Sequence, residues 1–172
     1  EKGGKIIYES NDYPNKTSVK NHLESFIGES MQIPPFFSAL KHKGKPLYKY
    51  ARRGEFISKP PRKISVNCIE NFDLNNKVCS FRIYCSKGTY IRSIARDLGK
   101  KLGCGAHMKS LIRLSQGNFN ISDAKSSSDI LEKHIICIED AFKNLNKITI
   151  QPVNEKKFIN GVKISMSNKD DM

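Results

Sequence analysis

The sequence predicts an α/β chain of the α+β kind, a mixed and mainly antiparallel sheet flanked by helices, on three observations. Ile64, Val66 and Cys68, and then Val78, Phe81, Ile83 and Cys85, follow the near-alternation of half-buried strands. Asn75-Asn76 between them tolerates the left-handed backbone of a hairpin turn. Downstream, Tyr90 or Ile91, Ile94, Ala95, Leu98 and Leu102 recur at helical spacing. The strand and helix patterns meet at Gly88-Thr89, where glycine can take a positive φ and threonine is suited to cap a helix. Tyr90 and Arg92 therefore fall at a helix mouth, whose backbone donors favour phosphate or carboxylate.

Taken in order, Lys5 to Ser10 predicts a short edge strand, and Asn11, Asp12, Pro14 and Asn15 a turn. Thr17 or Ser18 caps a helix with the apolar stripe Val19, Leu23, Phe26 and Ile27, stopped by Gly28. Pro34-Pro35 forces extended backbone, forbids a central strand position there, and presents Phe36 and Phe37 on a stiff segment. Lys43-Gly44-Lys45 makes a turn. Pro46 starts a short helix with Leu47, Tyr50 and Ala51 inside, and Gly54 ends it. Pro60-Pro61 breaks the chain before the hairpin. Past the central helix, closed by Gly103 and Gly105, His107 to Gln116 predicts a strand with Leu111 and Leu114 inward and Lys109 and Arg113 outward. The Ser-rich tract 122–129 reads as a hinge, with Ser127 or Ser128 capping a short helix through His134. Ile148 to Ile150 is a strand signal, and Asn154 caps a last helix holding Phe158 and Ile159 and stopped by Gly161. The expected organisation is a main domain over residues 1–121, a helical hinge over 122–147, and the start of a small unit over 148–172.

Thirty Lys and Arg against seventeen Asp and Glu give a formal charge of +13, spread along the chain rather than held in one tail. A folded surface with a broad positive field selects nucleic acid as partner. No apolar run could span a bilayer, so a membrane role is not expected. The five cysteines are irregularly spaced, which argues against a disulfide framework and for a cytoplasmic chain. Cys104-Gly-Ala-His107 lacks the further ligands zinc requires, and Gly99, Gly103 and Gly105 read as helix stops rather than a nucleotide loop, so neither metal nor cofactor is expected. Glu1-Lys2-Gly3-Gly4 has no apolar signal region and predicts an internal start.

Six cations, Lys41, Lys43, Lys45, Lys49, Arg52 and Arg53, lie among Phe36, Phe37, Tyr48, Tyr50 and Phe56. Such a mixture either offers charge to phosphates and π-faces to splayed-out RNA bases, or is a solvated face over core aromatics. Lys87 and Arg113 add further basic groups. Asp97 reads as a structural helix carboxylate, and His107 lacks a visible nucleophilic partner. Tyr90 and Arg92 make the stronger pair, since an aromatic face stacks a base and a guanidinium orients a carboxylate or phosphate. Residues two apart on a helix diverge by about 200°. Both can serve one ligand only if the chain is still extended at Tyr90.

The run Cys85-Ser-Lys-Gly-Thr-Tyr-Ile-Arg-Ser-Ile-Ala-Arg-Asp-Leu-Gly99, then Leu102-Gly-Cys-Gly-Ala-His107 and Leu111-Ile-Arg-Leu114, closely resembles the bacterial tRNA pseudouridine synthase B family. Pro34-Pro35-Phe36-Phe37-Ser38-Ala39-Leu40-Lys41 with Gly44-Lys-Pro-Leu-Tyr-Lys-Tyr-Ala-Arg-Arg-Gly54 resembles that family's other signature. The similarity covers roughly residues 5 to 165, with its motifs in the same order. It implies the pseudouridine synthase fold with the start of a PUA-like RNA-binding unit, and a monomer acting on the T stem-loop of tRNA. It further implies isomerisation of uridine-55 to pseudouridine after base flipping, without cofactor or metal. In that family an aspartate attacks as the glycosidic bond breaks, and uracil is rejoined through carbon 5. By motif position, Tyr90 packs on the flipped base and is placed for proton transfer, Arg92 partners the catalytic aspartate, and Leu111 is an apolar wall. Phe37 stands where the family often has tyrosine, so stacking is kept and a hydroxyl is lost. The Gly-x-Leu-Asp-Pro-type motif bearing the aspartate does not occur in these residues. The chain therefore reads as a synthase fragment lacking both ends and inactive alone. The rival reading is a non-catalytic tRNA-binding module or tRNA-folding helper.

Overall fold

The computed structural model describes residues 8–164, and its contacts divide the chain into one unit up to Ile112 and another from Arg113. In the first unit, Asn15 caps helix α1 (Lys16–Glu24) by accepting the Ser18 N–H at 2.8 Å, two or three residues ahead of the expected Thr17 or Ser18. Val19 and Leu23 are buried, but the helix ends before Phe26 and Ile27, and Ile27 is exposed. Gly28 does not act as the helix stop. With φ 105° it opens strand β1 (Gly28–Gln32), a strand the sequence reading misses because Gly-Glu-Ser-Met-Gln shows no apolar alternation. An edge strand is held by its ladder, which draws on backbone groups that every such residue carries.

The basic segment folds as a tight hairpin, β2 (Lys41–His42) and β3 (Lys45–Pro46). Lys43 and Gly44 both have positive φ, 46° and 77°, as a two-residue turn between twisted strands demands. Helix α2 (Leu47–Ala51) follows, with Pro46 as its cap rather than its first residue, and buries Leu47 and Ala51. The main sheet has the order β1-β4-β5, wholly antiparallel, from β4 (Arg62–Asn75) and β5 (Val78–Cys85). The expected α+β class with an antiparallel sheet is therefore observed. Its hairpin turns at Asn76-Lys77, φ 44° and 66°, one residue later than Asn75-Asn76. Ile64 and Val66 are the buried residues of β4, and α1 meets this strand, with Lys16 on Asp73 and over the Phe72 ring. Helix α3 (Ile91–Lys101) buries Ser93, Ile94, Leu98 and Gly99 and also meets α1.

The expected strand at Lys5 to Ser10 has residues 5–7 outside the described part, and residues 8–10 are irregular. Residues 105–114 are also irregular, so the strand expected over His107 to Gln116 is not formed. Only Ser115–Gln116 (β6) pairs, with Phe119–Asn120 (β7). Alternation of side chains makes no strand where no neighbouring backbone takes up the ladder. Within the second unit, 3-10 turns at Ser127–Asp129 and Glu132–His134 replace the expected single helix, followed by α4 (Ile138–Ala141). Ile148 to Ile150 forms no strand, and α5 (Pro152–Ile159) starts on Pro152 behind Gln151 rather than on an Asn154 cap. No described residue of this unit is buried, so its apolar periodicity has no core to face.

Gly99 carries a strict packing constraint. A Cβ there would collide with the backbone carbon of Gly105 and nitrogen of Ala106, where the Gly105 N–H returns to the Gly99 carbonyl at 3.1 Å. Gly99→Ala is expected to destabilise the fold by the upper end of the roughly 1–3 kcal/mol that overpacking costs. The exposed neighbour change Lys100→Ala should stay within about 0.5 kcal/mol, and urea unfolding of the two variants decides it.

Candidate active site and RNA surface

Pro34 and Pro35 have no N–H, so β1 cannot extend past Ile33, and the carbonyls beyond it need other donors. Helix α3 supplies them. Ser93 is wholly buried, and its Oγ donates to the Ile33 carbonyl at 3.0 Å. Arg96 Nη2 donates to the same carbonyl at 3.1 Å while its guanidinium grips Asp97 at 2.7 and 3.0 Å. Arg92 Nη2 donates to the Phe37 carbonyl at 2.6 Å. At the start of the seam, Gln32 bonds Tyr90 twice: the Tyr90 N–H to Oε1 at 2.9 Å, and Nε2 to the Tyr90 carbonyl at 3.2 Å.

Tyr90, with φ −95° and ψ 109°, is extended and is itself the cap of α3, which begins at Ile91. Thr89 is not the cap, contrary to the sequence reading, because its hydroxyl lies 3.2 Å from Ser86 Oγ. Ser86 in turn joins the turn to β4 through both its N–H and its hydroxyl on Ser65. The extended backbone that Tyr90 needs to act with Arg92 is thus present. Three residues singled out from sequence, Phe37, Tyr90 and Arg92, lie along one hydrogen-bonded seam. Sequence reasoning passed over Gln32 and Ser93, and their only signal was a polar residue two positions before the proline pair and one on the apolar face of a helix. Leu111 stands on irregular backbone and is 54% exposed.

The basic groups fall on two elements and beyond. Lys41, Lys43 and Lys45 ride the β2–β3 hairpin, and Lys49, Arg52 and Arg53 ride α2 and its end. Arg52 lies over the Tyr48 ring at 5.4 Å and Arg53 over Tyr50 at 5.3 Å, and Arg53 also meets Glu55 at 3.4 Å. Tyr50 donates to the His42 carbonyl, and Phe36 packs on Phe56 at 5.4 Å. Tyr48 and Tyr50 are half-buried, while Phe36, Phe37 and Phe56 are 40%, 46% and 60% exposed. Lys87 is exposed beside Gly88, whose φ is 83°. Arg113, in the second unit, bonds Gln116. Away from the seam, the Lys16 ammonium at 2.7 Å holds the Asp73 carboxyl below its usual range, and burial pushes the Cys79 thiol up. Among the described residues no three His, Cys, Asp or Glu side chains converge as metal ligands, and no helix is long and apolar enough to cross a membrane.

Residues 1–91 match the family model described as TruB family pseudouridylate synthase, N terminal domain. The chain belongs to the TruB family. Residues 92–156 match the model of the tRNA pseudouridylate synthase B C-terminal domain, so the two family regions meet between Ile91 and Arg92, inside the seam. The chain is 39% identical over 169 residues to tRNA pseudouridine synthase B of Clostridium acetobutylicum, covering 96% of this chain and 58% of that protein. It is 40% identical over 167 residues to the protein of that name from Clostridium perfringens (94% and 57%), and 36% over 167 residues to that of Dehalococcoides mccartyi (92% and 56%). The chain spans a little over half the length of these relatives. Among solved structures, a crystal structure of a Cbf5-Nop10-Gar1 complex is similar with a TM-score of 0.42 and 30% identity, over 58% of this chain and 25% of that one.

Ser93→Ala removes one of two donors to the Ile33 carbonyl in a fully buried place. The expected loss is about 1 kcal/mol. Ser93→Leu, which cannot fit, should cost more, and guanidinium unfolding curves of the two would show the order.

Proposed function

We propose that the protein containing this chain is a tRNA pseudouridine synthase that isomerises a uridine of the T loop. The observation that supports it most is the extended Tyr90 beside an Arg92 whose guanidinium reaches the Phe37 backbone. Chemistry on a stacked base requires the base to leave its stack, and an exposed Phe37 with Tyr90 provides faces to receive it. Leu111 supplies an apolar wall. Arg92, planar and permanently charged, orients the carboxylate of the nucleophilic aspartate of the Gly-x-Leu-Asp-Pro-type motif, which these residues do not include. Tyr90 stacks on the freed uracil and carries the proton that must leave carbon 5 once the base is rejoined there. Lys41, Lys43, Lys45, Lys49, Arg52, Arg53, Lys87 and Arg113 hold tRNA phosphates. The names of the relatives and the membership of the family support tRNA as substrate.

The test uses the full-length protein with an unmodified tRNA transcript and an assay for pseudouridine. Tyr90→Phe keeps the stacking face and should cut single-turnover rate by about 10² to 10⁴-fold, whereas Tyr90→Leu should add a base-capture defect. Arg92→Lys should lower the rate with tRNA affinity kept within a few-fold. A full-length protein that binds and refolds tRNA yet makes no pseudouridine would leave the helper reading in its place.

Binding itself has a separate expectation. Affinity should fall with salt at a log–log slope of about 0.7 to 0.9 per phosphate contact, and neutralising Lys49, Arg52 and Arg53 together should flatten it. An unchanged slope in titrations at several salt concentrations would move the RNA surface off α2.

A further inference from the structure

The local sequence favours a different start for α3 than the one observed. Thr89 is a good cap, Gly88 is free to turn before it, and Tyr90 would then be the first helical residue. In that arrangement Tyr90 and Arg92 diverge by about 200° and cannot face one ligand. Instead Tyr90 stays extended, and the group that holds it there is a side chain 58 residues away: the Gln32 carboxamide accepts the Tyr90 N–H and donates to the Tyr90 carbonyl. This is the pairing a neighbouring β-strand would offer, made by one amide.

Gln32 is itself placed by several independent constraints. Its backbone is the last pair of β1, opposite Arg62. Its side chain is 5% exposed, so its polar atoms have traded water for Tyr90. The next residue, Ile33, is tied by Ser93 and Arg96, and the prolines after it stiffen the exit. The competing cap, Thr89, is occupied with Ser86.

We propose that Gln32 is a positioning residue for the reaction: it keeps Tyr90 out of the helix and so sets Tyr90 and Arg92 toward one substrate. The inference rests on the proposed synthase function for its catalytic consequence, and on the two hydrogen bonds alone for its structural one. Gln32→Met keeps length and volume and removes both bonds. Gln32→Glu keeps an acceptor for the N–H but sets an oxygen against the Tyr90 carbonyl.

In the full-length protein, Gln32→Met should lower the single-turnover rate of pseudouridine formation by about 10²-fold, as misplacement of a reacting group does, with tRNA affinity kept within a few-fold. Gln32→Glu should fall between it and the natural protein. In a Tyr90→Phe background the Gln32→Met loss should shrink to a few-fold, because the residue acts through Tyr90. A purely structural role predicts otherwise: lower thermal stability, an unchanged rate per folded molecule, and losses that multiply with Tyr90→Phe. Those results would overturn the proposal, with Leu23→Ala as the control that destabilises without touching the seam.

A second readout needs no activity. By NMR, Gln32→Met should abolish protection of the Tyr90 amide and move its Cα shift from extended toward helical, while Ile94 and Leu98 amides stay protected. If the natural full-length protein makes no pseudouridine, the synthase reading fails and the Tyr90 amide still judges Gln32. A Tyr90 that remains extended and protected in Gln32→Met refutes the positioning role in either case.

Discussion

The first unit depends on what two consecutive prolines do to a strand. Pro34 and Pro35 end β1 and leave carbonyls that its ladder cannot satisfy, and burying such groups unpaired would cost on the order of 1–3 kcal/mol each. Side chains of α3 meet that need: Ser93 and Arg96 take the Ile33 carbonyl and Arg92 takes that of Phe37. The exchange also runs backward, since Gln32 takes both backbone groups of Tyr90. The helix mouth and the aromatic segment are thereby one body, although more than fifty residues separate them in the chain.

Charge is organised around that body. The lysine-bearing hairpin passes into α2, whose register is held by the Leu47 N–H on the Leu40 carbonyl and the Tyr48 N–H on Ser38. Arg52 and Arg53 stand over tyrosine rings, an arrangement that covers those faces and holds the guanidinium groups at fixed places. The sequence left two readings of this segment, bases on aromatics or a charged face over packed ones. Tyr48 and Tyr50 are half-buried beneath Arg52 and Arg53, whereas Phe36 and Phe37 are both exposed.

The two units differ in how well pattern foretells structure. In the first, Val19, Leu23, Ile64, Val66, Ile94 and Leu98 are apolar by period and buried in fact. The second holds Ile135, Ile138, Phe142 and Val153 at comparable spacings, and all are exposed. A period foretells burial only where some surface exists to receive it.

By itself the sequence determined the class of fold, the hairpin of β4 and β5, and a helix carrying Ile94 and Leu98 after the turn at Gly88, because each is written in local periodicity or in a glycine with few allowed conformations. The caps went astray by one to three residues wherever two polar side chains competed, as Asn15 did with Thr17 and Ser18. Only the tertiary structure decided that β1 exists, that Thr89 yields to Tyr90 as cap, and that Gln32 and Ser93 matter. Those outcomes turn on which distant backbone groups lack partners once the chain has closed, and no window of neighbouring residues contains that information.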